Sequence, residues 1–150
     1  KKKTGALLGA CLCLPAIMHG ESSEKVEKLY NVGKCLGVAF QLQDDILEIF
    51  GDEKVIGKSL GSDIIANKKT AIALIANKIN SDEWNNLISE FDGNNLEKIR
   101  NFLSDNGINS EVKNLTNTYF QSSYESLLKL GFNQDSEVYR FFKIIQGRHF

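Results

Sequence analysis

Apolar residues recur along this chain at helical intervals, in segments separated by Gly, Asn and Ser. A first apolar run predicts a helix from about Thr4 to His19, closed by Gly20, with Gly5, Ala6, Gly9 and Ala10 at spacings that let another backbone approach closely. Ser22 or Ser23 can cap a second helix carrying Val26, Leu29, Tyr30, Val32, Leu36, Val38, Phe40, Leu42, Ile46 and Leu47, with a stop at Gly51. That helix is roughly seven turns long, and its C-terminal half is apolar on several faces, which predicts a central place in the fold. Asp52 to Gly61 reads as a loop. A third helix is predicted from Asp63 to about Lys78, with Asn67-Lys68-Lys69-Thr70 on its first two turns. Ser81-Asp82-Glu83 then caps a helix bearing Trp84, Leu87, Ile88 and Phe91, and Asn94 or Asn95 opens another that ends at Asn106-Gly107. Ser110 starts a helix with Val112, Leu115, Phe120, Tyr124, Leu127 and Leu128, and Asp135-Ser136 starts a last one with Val138, Phe141, Phe142 and Ile145. The aromatic residues at helical spacing are expected in the core. The fold class expected is all-α, in one continuous domain over 150 residues.

Composition narrows the partners. There are 18 Lys and Arg against 19 Asp and Glu, a net charge of −1, so no general basic surface invites nucleic acid. A single Pro favours helices over a sheet with many turns. Cys11, Cys13 and Cys35 are odd in number and lie in apolar or helical surroundings, the profile of buried thiols in a reducing compartment rather than of a disulfide framework or a zinc site. His19 and His149 are isolated and are not expected to be ligands. Lys1-Lys2-Lys3 before the apolar run Thr4 to Met18 has the outline of a secretory signal, but only Gly5 to Ala10 precede Cys11, where such a signal needs an apolar stretch of about 7–15 residues. The run also falls short of the roughly 20 residues that span a bilayer. A cytoplasmic location without an integral membrane segment is the expectation. A chain that begins without Met, inside an apolar segment, reads as a piece of something longer.

Chemistry concentrates between Gly37 and Glu48. At about 100° per residue, Gln41, Asp44, Asp45 and Glu48 share one face of the second helix. Like charges so spaced cost a helix about 0.2–0.5 kcal/mol per pair, and carboxylates near its C-terminus oppose the macrodipole by roughly a further 0.3–1 kcal/mol each. No cation lies between Val38 and Glu48 to relieve them. Alone, D-D-x-x-E also fits a solvated helix end paired with lysines. Lys54 and Lys58 lie in the glycine-bearing loop that follows and Lys68 and Lys69 come after it, so the loop can bring these lysines over the acidic face. Hard oxygen ligands suit Mg²⁺, with Mn²⁺ as a substitute, and lysines beside a carboxylate-held Mg²⁺ are what a diphosphate requires. No P-loop sequence is present.

Lys3-Thr4-Gly5-Ala6-Leu7, Gly37-Val38-Ala39-Phe40-Gln41-Leu42-Gln43-Asp44-Asp45-Ile46-Leu47-Glu48, Gly51-Asp52, Gly57-Lys58-Ser59-Leu60-Gly61-Ser62-Asp63-Ile64 and Asn67-Lys68-Lys69-Thr70 strongly resemble trans-isoprenyl diphosphate synthases, in that family's order and approximate spacing. Residues 71–150 match only in being helical. The resemblance implies an isoprenoid-synthase-type helical bundle, usually a homodimer, in which two aspartate-rich motifs face each other and hold Mg²⁺. Asp44 and Asp45 resemble the head of the second motif, with Asp44 a direct Mg²⁺ ligand. Lys3, Lys58 and Lys68 resemble lysines that bind the allylic diphosphate. Thr4 and Gln41 resemble residues proposed to stabilise the carbocation and orient the departing diphosphate, and Phe40 resembles the aromatic residue near the incoming isopentenyl unit. Asp63 matches a supporting acidic position.

Two departures stand out. Glu48 occupies the place of a usual third Asp, and its extra methylene can move the carboxylate to a water-mediated position. No other D-D-x-x-D cluster occurs in the chain, and the family places its first aspartate-rich motif N-terminal to the Lys-Thr motif. The expectation is therefore the C-terminal half of a prenyltransferase domain, inactive by itself, contributing to the condensation of an allylic diphosphate with isopentenyl diphosphate. A catalytically silent partner subunit and a class I terpene cyclase are the alternatives, although the cyclase's own second motif is not found. Without the remaining helices, Leu7, Leu8, Leu12, Leu14 and the surroundings of Phe40 are expected to expose apolar surface.

Overall fold

The computed structural model describes residues 3–51, 60–94 and 96–148. Among the described residues every regular element is a helix: α1 (Thr4–Met18), α2 (Ser23–Phe50), α3 (Ser62–Ile65), α4 (Ala71–Ile79), α5 (Ser81–Ser89), α6 (Leu96–Asp105), α7 (Ile108–Lys129) and α8 (Glu137–Gln146). The fold class is all-α, as the periodicity predicts. None of these helices is long and apolar enough to cross a membrane. The chain divides into two compact units, one built from the residues up to Gln41 together with Leu115–Arg148, the other from Leu42–Asn114.

In the first unit, α1 and α2 approach through glycine. A Cβ placed on Gly37 would lie 2.4 Å from the Gly5 Cα, and one on Gly33 would lie 2.5 Å from the backbone of Leu8 and Gly9. The small residues picked out on α1 thus meet a second glycine pair on α2, and the two backbones come into direct contact. Gly20, at φ 71°, ends α1, and the Ser22 hydroxyl accepts from the Lys25 N–H to start α2. Pro15 lies inside α1, in its last turn, where its missing N–H removes the bond that would otherwise reach the Cys11 carbonyl. The core of this unit joins Val32, Leu36 and Ala39 of α2 to Phe120, Tyr124 and Leu127 of α7 and Tyr139, Phe142 and Ile145 of α8.

The second unit surrounds the end of α2 and contains α3 to α6. Ile49, Ile64, Ile72, Ile99 and Leu103 are buried there, and Trp84 stacks on Phe102 with ring centroids 5.9 Å apart. The helix expected over Asp63 to Lys78 is broken. Asn67 adopts a left-handed conformation at φ 48°, and Thr70 accepts from the Ala73 N–H at 3.1 Å to start α4 afresh. Asn67-Lys68-Lys69-Thr70 is therefore a connecting turn rather than part of a helix. Smaller differences have equally local causes. Asn80 rather than Ser81 caps α5, exchanging bonds with Glu83 in both directions, and α7 begins at Ile108, directly after Gly107 at φ 69°.

Three surface expectations need correction. Leu7 and Leu14 are exposed, at 64% and 54%, but Leu8 and Leu12 are partly buried against the α2–α7–α8 core. Cys11 is exposed, on the outer side of α1, while Cys13 is buried and Cys35 half-buried. Phe141 is 48% exposed, and Leu115 and Leu128 also face outward, because the helical spacing of α7 and α8 carries apolar residues beyond the packed face.

The glycine crossing gives a direct test. Gly37→Ala forces a methyl into the Gly5 backbone, and overpacking of this kind costs about 1–3 kcal/mol. Urea unfolding is expected to shift by that amount, and an unchanged midpoint would show that the helices do not meet there.

Candidate functional site

Asp44, Asp45 and Glu48 lie near the C-terminal end of α2 and are each partly buried, as the sequence pattern requires. Their neighbours come from far along the chain. One oxygen of Glu48, Oε1, accepts from the Ser62 hydroxyl at 2.6 Å and from the Asp63 N–H at 3.2 Å, while its main-chain carbonyl accepts from the Gly61 N–H at 3.0 Å. Asp45 Oδ2 accepts from the Ala71 N–H at 3.0 Å, at the first residue of α4. The two carboxylates thus fasten the starts of α3 and α4 to α2. These bonds also meet N–H groups that a helix start leaves without an intrahelical acceptor.

Lys68 reaches the same cluster. Its ammonium pairs with the Asp63 carboxylate, and its N–H donates to the Asp63 carbonyl at 2.9 Å. The Asp63 contact holds the ammonium above its usual pKa, with smaller contributions from the charges of Glu48 and Asp45. Beside it, a cavity of about 370 Å³ is lined by Lys68, Lys69, Thr70, Lys78 and Trp84 among others. Of the four lysines expected over the acidic face, Lys68 pairs with Asp63 and Lys69 lines the cavity, whereas Lys54 and Lys58 lie outside the described residues.

The remaining predicted residues belong to the first unit. Lys3 is exposed just before α1, Thr4 begins that helix, and Gln41 is exposed on α2. Phe40 is half-buried, and the Arg148 guanidinium lies 3.9 Å from its ring centroid, so one ring face already carries a cation. Two residues with structural roles at these positions were not found by sequence reasoning. Arg148 is one. Arg100 is the other: its Nε donates to the Ile49 carbonyl at 2.7 Å and its Nη2 to the Gly51 carbonyl at 3.4 Å, closing the C-terminal end of α2 from α6. Neither is adjacent in sequence or part of a motif, so no local signal marks them.

Electrostatics favours a cation at the acidic face. Burial is the main cause that pushes the Asp45 carboxyl up to about 6, reinforced by the negative charges of Asp63, Asp44 and Glu48 and opposed by the Ala71 N–H. Among the described residues, no three His, Cys, Asp or Glu side chains form a cage that could hold an ion by themselves. This donor set nevertheless fits Mg²⁺, which is commonly held by one or two carboxylates together with waters and phosphate oxygens. A partly buried carboxyl with like charges beside it is favoured in its ionised form by an adjacent cation.

The polyprenyl synthetase family model matches residues 1–105, which include every residue of this acidic face and its partners. The chain belongs to that family. Over 94 residues it is 42% identical to a short chain isoprenyl diphosphate synthase of Methanocaldococcus jannaschii, an alignment covering 63% of this chain and 29% of that protein. Over 76 residues it is 43% identical to a geranylgeranyl pyrophosphate synthase of Geoglobus acetivorans, covering 51% and 24% respectively. A crystal structure of a geranylgeranyl pyrophosphate synthase superposes with a TM-score of 0.80 at 29% identity, over 99% of this chain and 49% of that one. The heptaprenyl diphosphate synthase of Staphylococcus aureus shares the fold, with a TM-score of 0.82 at 24% identity and coverage of 99% and 48%. The chain thus spans about half the length of the solved structures that it matches.

The raised Asp45 pKa has a definite sign. Ionisation is harder in the folded chain than in the unfolded one, whose ordinary value is 3.8, so the stability contribution is present below that pH and is lost as pH rises through about 6. Asp45→Asn keeps an acceptor for Ala71 and removes the charge. Without metal, the variant is expected to gain about 1–2 kcal/mol over the parent between pH 4 and pH 7.5, a figure discounted for partial exposure. Urea titrations at the two pH values measure this; a difference that does not change with pH would contradict it.

Proposed function

We propose that this chain supplies the second aspartate-rich motif and the diphosphate-binding lysines of a prenyltransferase that condenses an allylic diphosphate with isopentenyl diphosphate. The observation that carries the reading is the meeting of a crowded acidic face on α2 with Lys68 on the segment that follows α3. The names of the matched synthases support the substrate class.

In this reading the C–O bond of the allylic diphosphate breaks, and its electron pair leaves with the diphosphate. The isopentenyl double bond attacks the resulting allylic cation, and a proton is lost to form the longer prenyl diphosphate. Mg²⁺, or Mn²⁺ in its place, would be held by Asp44 with Asp45 beside it and would neutralise charge on the diphosphate oxygens, while Glu48, whose Oε1 already accepts from Ser62 and Asp63, stands next to the ion without binding it. Lys68 supplies a fixed positive charge for the same group, with Lys3 and Lys58 assigned to it by resemblance. Thr4 and Gln41 are assigned by resemblance alone to orienting the diphosphate and stabilising the cation, and Phe40 to the isopentenyl unit. The complete enzyme is proposed to be a cytoplasmic homodimer.

The sequence contains a single acidic motif, so turnover is proposed to need a second polypeptide segment that carries the first. The chain is to be assayed with labelled isopentenyl diphosphate, an allylic diphosphate and Mg²⁺, alone and with a complementary half of a relative. Elongated product is expected only in the mixture, abolished by EDTA and reduced about 10²–10³-fold by Asp44→Ala. Elongation by the chain alone would overturn the need for complementation, and a mixture that assembles yet gives no product would overturn the assigned reaction.

A further inference from the structure

Glu48 stands where a metal-binding carboxylate is expected, yet its contacts point elsewhere. Oε1 is already shared between the Ser62 hydroxyl and the Asp63 N–H, and the Glu48 carbonyl holds the Gly61 N–H. Asp63 in turn holds Lys68 twice, through its carbonyl to the Lys68 N–H and through its carboxylate to the ammonium. A continuous line of bonds therefore runs from Glu48 through Asp63 to Lys68.

We infer that Glu48 is a positioning residue, which clasps the 61–68 segment to α2 and so sets where the Lys68 ammonium stands. Local geometry explains the need for such a clasp. The N–H groups of Ile64 to Lys68 all bond back to carbonyls between Gly61 and Ile64, so these bonds shape the segment without tying it to α2. A side chain one methylene longer than Asp reaches across to Ser62 and Asp63 while its backbone remains in α2. The requirement at position 48 is then for an acceptor oxygen, and the negative charge is dispensable. Asp45 performs the parallel task for α4 through the Ala71 N–H.

The consequence for ligand binding rests on the diphosphate reading above, whereas the clasp itself can be measured without it. Hydrogen exchange over residues 60–71 and calorimetric titration with Mg²⁺ and inorganic diphosphate separate the two. Glu48→Gln retains the acceptor, and is expected to preserve amide protection and to bind magnesium diphosphate within about threefold of the parent. Glu48→Ala is expected to speed exchange across the segment and weaken binding roughly tenfold, in the range seen when supporting contacts of a metal site are removed. Combined with Lys68→Ala, it should add little further loss, since both act through one ammonium. Ser62→Ala leaves every carboxylate in place and should loosen the same segment to a smaller degree, which keeps the test available if Glu48→Ala does not fold. Weak binding by Glu48→Gln with normal exchange would make Glu48 an ion ligand and overturn the inference. Unchanged exchange in both Glu48→Ala and Ser62→Ala would also overturn it. A parent chain that binds no diphosphate but shows the expected exchange pattern would contradict the substrate reading while supporting the clasp.

Discussion

Three carboxylates at positions 44, 45 and 48 crowd the C-terminal end of a helix, where mutual repulsion and the macrodipole both act against them. The second unit is arranged around this unfavourable charge. Asp63 and Ala71 turn their N–H groups towards it, Ser62 its hydroxyl and Lys68 its ammonium, while Arg100 occupies the terminal carbonyls of α2. These contacts do not fully support the ionised acids: burial first, and the neighbouring negative charges after it, still hold the Asp45 carboxyl up at about 6. A dication would remove the remaining imbalance, and a diphosphate would complete its coordination while meeting Lys68. Chemistry and folding thus share one helix end: Asp44 and Asp45 would face an ion, while Glu48 fixes the segment that delivers the lysine.

The first unit depends on a different constraint. Glycines on α1 and α2 let two backbones touch, and Tyr30 lies across Gly9 at that crossing. Close contact of this kind leaves little tolerance for added volume and sets the start of α1, where Lys3 and Thr4 are located. Opposite the crossing, α1 carries exposed Leu7, Leu14 and Met18, in keeping with a sequence that is apolar on all sides.

Much of this was legible in the sequence because it is encoded locally. Helical spacing, Gly20, Gly107 and the Ser136 cap mark elements whose ends depend on neighbouring residues, and the face of one carboxamide and three carboxylates, Gln41, Asp44, Asp45 and Glu48, follows from periodicity alone. The break at Asn67 was missed because alternation between helix and turn there is decided by Thr70 capping α4 and by Asp45, 26 residues away, accepting from Ala71. Thr70 before an apolar run was a usable cap signal. The clasp by Glu48 and the closure of α2 by Arg100 had no such signal, since each joins segments that meet only after folding. The exposed faces of Leu115, Leu128 and Phe141 show the same limit: spacing identifies an apolar stripe but does not fix how much of it a neighbour covers.

The most direct measurement is the titration of the Asp45 side-chain carboxyl, followed by its carbon chemical shift, with and without Mg²⁺ and inorganic diphosphate. Without them its midpoint is expected near 6. If the acidic face holds the metal, their addition should lower that midpoint clearly, and Asp44→Ala should diminish the effect. A midpoint near 6 that stays fixed through saturating additions would contradict the claim that this face is built to receive a dication.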